Sequence, residues 1–161
     1  MEKKKVLTIR ELSISFTTSA GAVNVIRGVN LDLYKGETIA IVGESGSGKS
    51  VTMKAVMGIL SGNGKINSGN VYFTSDKKGE EIVKLDLLTL SKKEMRKRIN
   101  GKRIAMIFQD PMTSLNPTMS IGAQIMEGMR WHYKTSKKDA YKRAVELLEL
   151  VGIVDAKKRM K

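Results

Sequence analysis

No cysteine occurs among the 161 residues, which excludes disulfides and thiolate metal sites and suits a reducing compartment. There is one histidine, His132, so a histidine-based metal cluster is excluded as well. Any metal must then be held by oxygen ligands, and a surface or interfacial place is expected for His132. No stretch approaches the roughly 18 to 20 consecutive apolar residues that a membrane-spanning helix needs. The start, Met1-Glu2-Lys3-Lys4-Lys5, carries no apolar stretch of a secretory signal. These features point to a cytoplasmic protein with no transmembrane segment.

A chain of this length with 41% hydrophobic residues can bury the core of one compact domain. Its ten methionines read as core filler. The formal charge of +13 raises a nucleic-acid reading, because clustered basic side chains neutralise phosphates. The distribution argues against it. Lys77-Lys78, Lys92-Lys93, Arg96-Lys97-Arg98, Lys137-Lys138 and Lys157-Lys158-Arg159 are scattered, mostly beside predicted helix ends, without regular aromatic interleaving for base stacking. A solvated surface accounts for them first, and an acidic partner or an anionic membrane surface second. A nucleic-acid-binding protein stays open as an alternative.

Hydrophobic periodicity divides the chain. Residues 6–17 alternate apolar and polar side chains with one slip near Arg10-Glu11, and residues 23–33 do likewise, so both read as strands. Residues 38–42, Thr-Ile-Ala-Ile-Val, form a continuous apolar run that reads as a strand buried on both faces. Helical spacing follows over residues 49–60. Residues 69–74 and 81–85 read as short strands around a polar turn, and 103–108 as a further apolar strand. Ser91-Lys92-Lys93-Glu94 is a capping box that predicts a helix over 92–100. Ile121, Ile125 and Met129 start a helical last third, in which Ser136 caps another helix and Gly152 stops it.

Between the apolar run and the first helix stands Gly43-Glu44-Ser45-Gly46-Ser47-Gly48-Lys49-Ser50. It fits G-x-x-x-x-G-K-[ST], and each fixed position has a physical reason. Glycines let the backbone curl so that N–H groups point at phosphate oxygens, and the following helix aims its positive end at the same spot. Lys49 adds a point charge for the β and γ phosphates, and the Ser50 hydroxyl is a hard oxygen ligand for Mg²⁺. A random chain of this length matches the pattern on the order of 1% of the time. The strand-to-helix context then decides for nucleotide binding over a merely structural glycine loop.

The loop alone does not choose among kinases, GTPases and ATPases. The wider sequence does. GETIAIVGESGSGKSVT followed by KRIAMIFQDPMTSLNP resembles the ATP-binding subunits of ABC transporters, within them the oligopeptide, dipeptide and nickel importer group. The resemblance runs from Leu7 to about Lys158. It implies an α/β P-loop NTPase core of the ABC ATPase type, with an N-terminal antiparallel β region and the start of a helical subdomain. Residues 1–109 would belong to the ATP-binding core and 110–161 to that subdomain.

The resemblance further implies that Gly43 through Ser50, with Val51, bind ATP. Gln109 would sense magnesium and the attacking water, and Phe16 would stack on adenine. Residues from Asp110 to about Tyr133 would meet the transmembrane permease subunits. Further partners would be a second ATPase subunit and, indirectly, an extracytoplasmic solute-binding protein, with no nucleic acid, and the place of action the cytoplasmic face of the cell membrane. Family members continue into a Leu-Ser-Gly-Gly-Gln signature, a Walker B strand ending in Asp and Glu, and a switch histidine. None of these stands in the present sequence. The expectation is a truncated chain with an incomplete sheet, prone to self-association, that binds ATP and hydrolyses it poorly. A kinase-like or GTPase reading would need Asp110 as its magnesium ligand, and Gln109-Asp110-Pro111 matches the transporter pattern better.

Overall fold

The computed structural model describes residues 4–75, 83–109 and 114–161. These divide into two compact units, Met1–Arg96 and Lys97–Lys161. The first is built on a four-stranded antiparallel sheet in the order β2-β1-β3-β4. Its strands are β1 (Lys5–Thr18), β2 (Gly21–Tyr34), β3 (Gly64–Ser75) and β4 (Val83–Asp86). The sequence-predicted antiparallel region is therefore present. Ile9, Leu12, Ile14, Ile26 and Val71 from three of the strands are buried, as are Ala55, Val56, Met57, Leu87 and Met95.

The slip at Arg10-Glu11 is a bulge. Both ladders of β1 shift register there, and Glu11 takes a left-handed φ of 46°. Gly69 lies opposite, where a Cβ would come within 2.6 Å of Arg10 O and Leu12 Cα, so only glycine lets the two backbones approach. Strand β3 begins five residues earlier than the apolar pattern indicates, because Ile66 pairs with Ile14 and Gly64 with Phe16 across the sheet. The polar turn expected after it lies outside the described residues, as does the start of the strand expected at 81.

Helix α1 (Lys49–Val56) is shorter than the expected 49–60. Gly58, at φ 65°, ends it: Gly58 N donates to Ala55 O at 3.0 Å and Ile59 N to Lys54 O at 3.0 Å, the paired bonds of a Schellman stop. The capping box forms as expected, with Glu94 N donating to Ser91 Oγ at 3.3 Å and Ser91 N to the Glu94 carboxylate at 2.9 Å. Helix α2 (Lys92–Glu94) then widens into a π turn over Met95–Ile99.

Two expected strands do not form. Residues 38–42 and 105–108 have no strand partner among the described residues; of 103–108 only Ile104 makes a β-type contact, a single bridge to Asn100. Val42 is 88% and Ile107 98% exposed. A run apolar on both sides becomes a strand only where neighbouring strands take its N–H and C=O groups. The local pattern was right for such a strand, and the pairing it needs is not supplied here.

The second unit is helical. α3 (Ile121–Tyr133) starts at Ser120, whose side chain accepts from Ala123 N, and α4 (Lys137–Leu150) starts at Ser136, which accepts from Asp139 N. Gly152, at φ 78°, follows the end of α4 as expected. α5 (Ala156–Arg159) closes the core. Ala144, Val145, Ala156 and Met160 are buried against Ile125, Met126, Met129 and Leu148, so three methionines serve as core filler in this unit, beside the buried Met57 and Met95 of the first. His132 is half-buried on α3, and its ring fills the space a Cβ of Gly101 would need. Among the described residues no helix is long and apolar enough to cross a membrane.

Candidate functional site

Glycines make the turn into α1. Gly46 (φ 83°) and Gly48 (φ 91°) adopt left-handed torsions that cost an L-residue about 1–2 kcal/mol. Around Gly46 there is open space, so the torsion alone demands glycine. Gly48 is constrained twice, since a Cβ there would collide with Ile26 Cδ1 and lie 3.5 Å from Val25 O. The loop is therefore backed closely by β2. At the other end, a Cβ on Gly43 would lie 3.0 Å from Ser47 Oγ and 3.9 Å from Lys49 Nζ, which shows how tightly the loop curls.

The Lys49 ammonium closes the curl. It donates to Gly43 O at 2.7 Å, Glu44 O at 2.7 Å and Ser47 Oγ at 3.2 Å, matching its three donors. Below it, α1 begins without a side-chain cap and without an acidic residue in its first turn. The positive end of the helix and its first N–H groups thus meet neither a capping side chain nor an acid of their own first turn. Thr52 N and Oγ1 both bond Gly48 O, at 2.9 and 3.1 Å, and fix the first helical turn. Glu44, Ser45, Ser47 and Ser50 are exposed, and Val51, the third helical residue, is half-buried.

Loop, cation and open helix end together could receive a multiply charged anion. The donor set also fits a hard cation held with that anion. Among the described residues no group of three or more His, Cys, Asp or Glu could hold a metal alone. Ser50 would then supply one protein oxygen and phosphates the others, as magnesium prefers.

The other predicted residues lie elsewhere. Phe16 ends β1 half-buried, and its Cε1 would lie 2.9 Å from a Cβ on Gly64, so one part of the ring is committed to the start of β3. Gln109 is exposed in the second unit, after the irregular stretch that ends at Phe108. Residues 110–113, where the expected partner surface begins and where the alternative ligand Asp110 stands, lie outside the described residues. Sequence reasoning missed Ile26 and Val25 as the support behind Gly48, and no local signal marks them, because strand and loop meet only through the fold. Thr52 was legible in principle, as a hydroxyl one turn after a helix start.

Residues 26–161 match the ABC transporter family. The chain is 50% identical over 159 residues to the dipeptide transport ATP-binding protein DppD of Bacillus subtilis, covering 98% of this chain and 44% of that protein. It is 55% identical over 157 residues to the oligopeptide transport ATP-binding protein OppD of the same organism, covering 97% and 41%. To OppD of Escherichia coli it is 43% identical, covering 96% and 43%. The chain thus spans less than half the length of these relatives. Among solved structures, a dimeric ATP-binding cassette in a post-hydrolysis state with ADP and phosphate aligns with a TM-score of 0.69 at 22% identity, covering 89% of this chain and 56% of that one. At that identity the likeness speaks for the fold, which is that of an ABC ATPase with its sheet left open. A phosphate-loop turn, a sheet of this kind and a family match over most of the sequence converge: the chain belongs to the ABC transporter family.

Proposed function

We propose that residues 43–50 bind the phosphates of ATP with Mg²⁺, and that the chain is the ATP-binding part of an ATPase that powers import of peptides or a related small solute. The uncapped start of α1 beneath the Lys49 ammonium is the observation that carries the nucleotide reading. The names of the relatives support the peptide reading. The backbone of 43–48 would enclose the β and γ phosphates, Lys49 would exchange its contacts with the loop carbonyls for phosphate oxygens, and Ser50 would hold the metal. Val51 would add its N–H at the helix start. Magnesium, when bound, supplies positive charge at the phosphate oxygens.

On the same reading Gln109 would contact the metal and orient water through an amide that both donates and accepts, and Phe16 would offer its free face to adenine. The boundary after Gln109 would separate ATP-binding core from helical subdomain. Partners would be permease subunits at the cytoplasmic face of the membrane, a second ATPase subunit, and indirectly an extracytoplasmic solute-binding protein. Hydrolysis needs a group that orients or deprotonates water, and the family's signature, Asp-Glu strand and switch histidine are not among these residues. This chain by itself is therefore proposed to bind ATP and to turn it over slowly.

Calorimetry with ATP and magnesium tests the reading. Lys49→Ala removes one charge-assisted partner of the phosphates, worth about 1.5–3 kcal/mol, and should weaken binding roughly 10- to 150-fold with the fold unchanged by circular dichroism. Absence of heat with the parent chain, or equal affinity in the variant, would refute the site.

A further inference from the structure

The junction of α3 and α4 carries a second feature, independent of the nucleotide loop. Between Arg130 and Arg143 stand six basic residues, Arg130, Lys134, Lys137, Lys138, Lys142 and Arg143, and a single acid, Asp139. All six basic side chains are exposed. Three exposed aromatics accompany them: Trp131 (55%) and Tyr133 (62%) in the last turn of α3, and Tyr141 in α4. Lys134 Nζ sits 5.8 Å from the centroid of the Trp131 ring. The acid is partly engaged by the helix cap, since Asp139 Oδ2 accepts from the Ser136 hydroxyl at 2.5 Å.

Local folding does not account for the lysines. Lys137 and Lys138 occupy the first turn of α4, where positive charge opposes the helix dipole, and neither has an ion-pair partner among the described residues. The aromatics are not core either, because the buried face of this helix pair is made by Ile125, Met126, Met129, Ala144, Val145 and Leu148. An exposed Trp and two Tyr among unpaired lysines combine an apolar body, a polar tip and positive charge, which is the chemistry of the water–lipid boundary.

We propose that this corner contacts an anionic membrane surface directly, the aromatic rings seated at headgroup level and Arg130 and the lysines held by lipid phosphates, while Arg143 stays paired with Glu146 Oε2 at 3.1 Å. A basic side chain near such a surface improves partition roughly fivefold, and the effect fades within a Debye length of about 8–10 Å at physiological salt. The contact would hold the chain at the membrane whether or not ATP is bound.

Trp131 is the only tryptophan, so its emission reports on this corner alone. The intact chain would be titrated with vesicles of phosphatidylcholine, and with the same vesicles containing phosphatidylglycerol. Expected are a blue shift and protection from acrylamide with the anionic vesicles only, reversed by salt. The variant Lys137→Gln/Lys138→Gln/Lys142→Gln should bind on the order of 100-fold more weakly while keeping its circular dichroism spectrum, since no buried group is touched. No shift with anionic vesicles, or unchanged affinity in the variant, would overturn the proposal. So would an equal or larger shift with duplex DNA at the same salt, which would assign the corner to nucleic acid. Because ATP binding by calorimetry does not depend on these lysines, the two proposals fail separately.

Discussion

At the residue scale, single groups are set by neighbours that the sequence places far away. Asp32 on β2 accepts from Arg10 Nη2 at 2.7 Å and from Lys5 Nζ at 2.8 Å, both on β1. The hydrogen bond from Arg10, and next that from Lys5, hold its carboxyl well below the usual carboxylate range. A depressed folded value means that the ionised form is favoured by folding. The contribution is therefore fully present above the unfolded value near 4 and declines as pH falls through and below it. Asp32→Asn should lower the melting temperature at neutral pH, and the gap between variant and parent should narrow below about pH 4. Thermal melts across that range check both statements, and a gap that widens in acid would count against the pairing. Gly48 makes the opposite case of a residue fixed by backbone torsion and space together. Gly48→Ala should destabilise the first unit by at least about 1 kcal/mol in urea unfolding and should also abolish ATP binding, because the turn into α1 cannot be kept while Ile26 stays in place.

At the element scale, what could be read from the sequence was what closes over a few residues. The Ser91–Glu94 box, the Ser136 cap and the stop at Gly152 depend on hydrogen bonds between residues three to five apart, and the structure has each of them. The loop of the candidate site was legible for the same reason, since its glycines, lysine and serine all act within eight residues. Gly58 is as local a signal, and its left-handed turn ends α1 before the apolar pattern does. The strands at 38–42 and 103–108 were not decidable locally: apolar composition states a preference for burial, whereas pairing is decided by segments elsewhere. The early start of β3 is the converse, a polar stretch drawn into the sheet by Ile14 and Phe16 of β1. For α4 the local account makes a measurable claim. Ser136→Ala removes the acceptor of Asp139 N, 3.1 Å away, and should cost about 1 kcal/mol of stability. Ser136→Asp should restore most of it, which a mere change of surface polarity would not do.

At the scale of the whole molecule, two opposing quantities govern behaviour in solution. Ile39, Ile41, Val42, Ile107 and Phe108 leave apolar surface in water, and the backbone of 38–42 is unpaired among the described residues, which favours association between copies. A formal charge of +13 opposes it through mutual repulsion, and added salt screens the charge without weakening apolar contact. Self-association should therefore be slight in dilute buffer and rise steeply with salt, the reverse of what vesicle or nucleic-acid binding would show. Light scattering against protein concentration, at about 0.05 M and 0.5 M salt, distinguishes the two. Ile107 is almost wholly exposed, so Ile107→Lys costs the fold next to nothing and should shift the salt-driven association to higher protein concentration. A chain that stays monomeric at high salt, or an Ile107→Lys variant that associates as readily as the parent, would mean that these apolar runs are not what brings copies together.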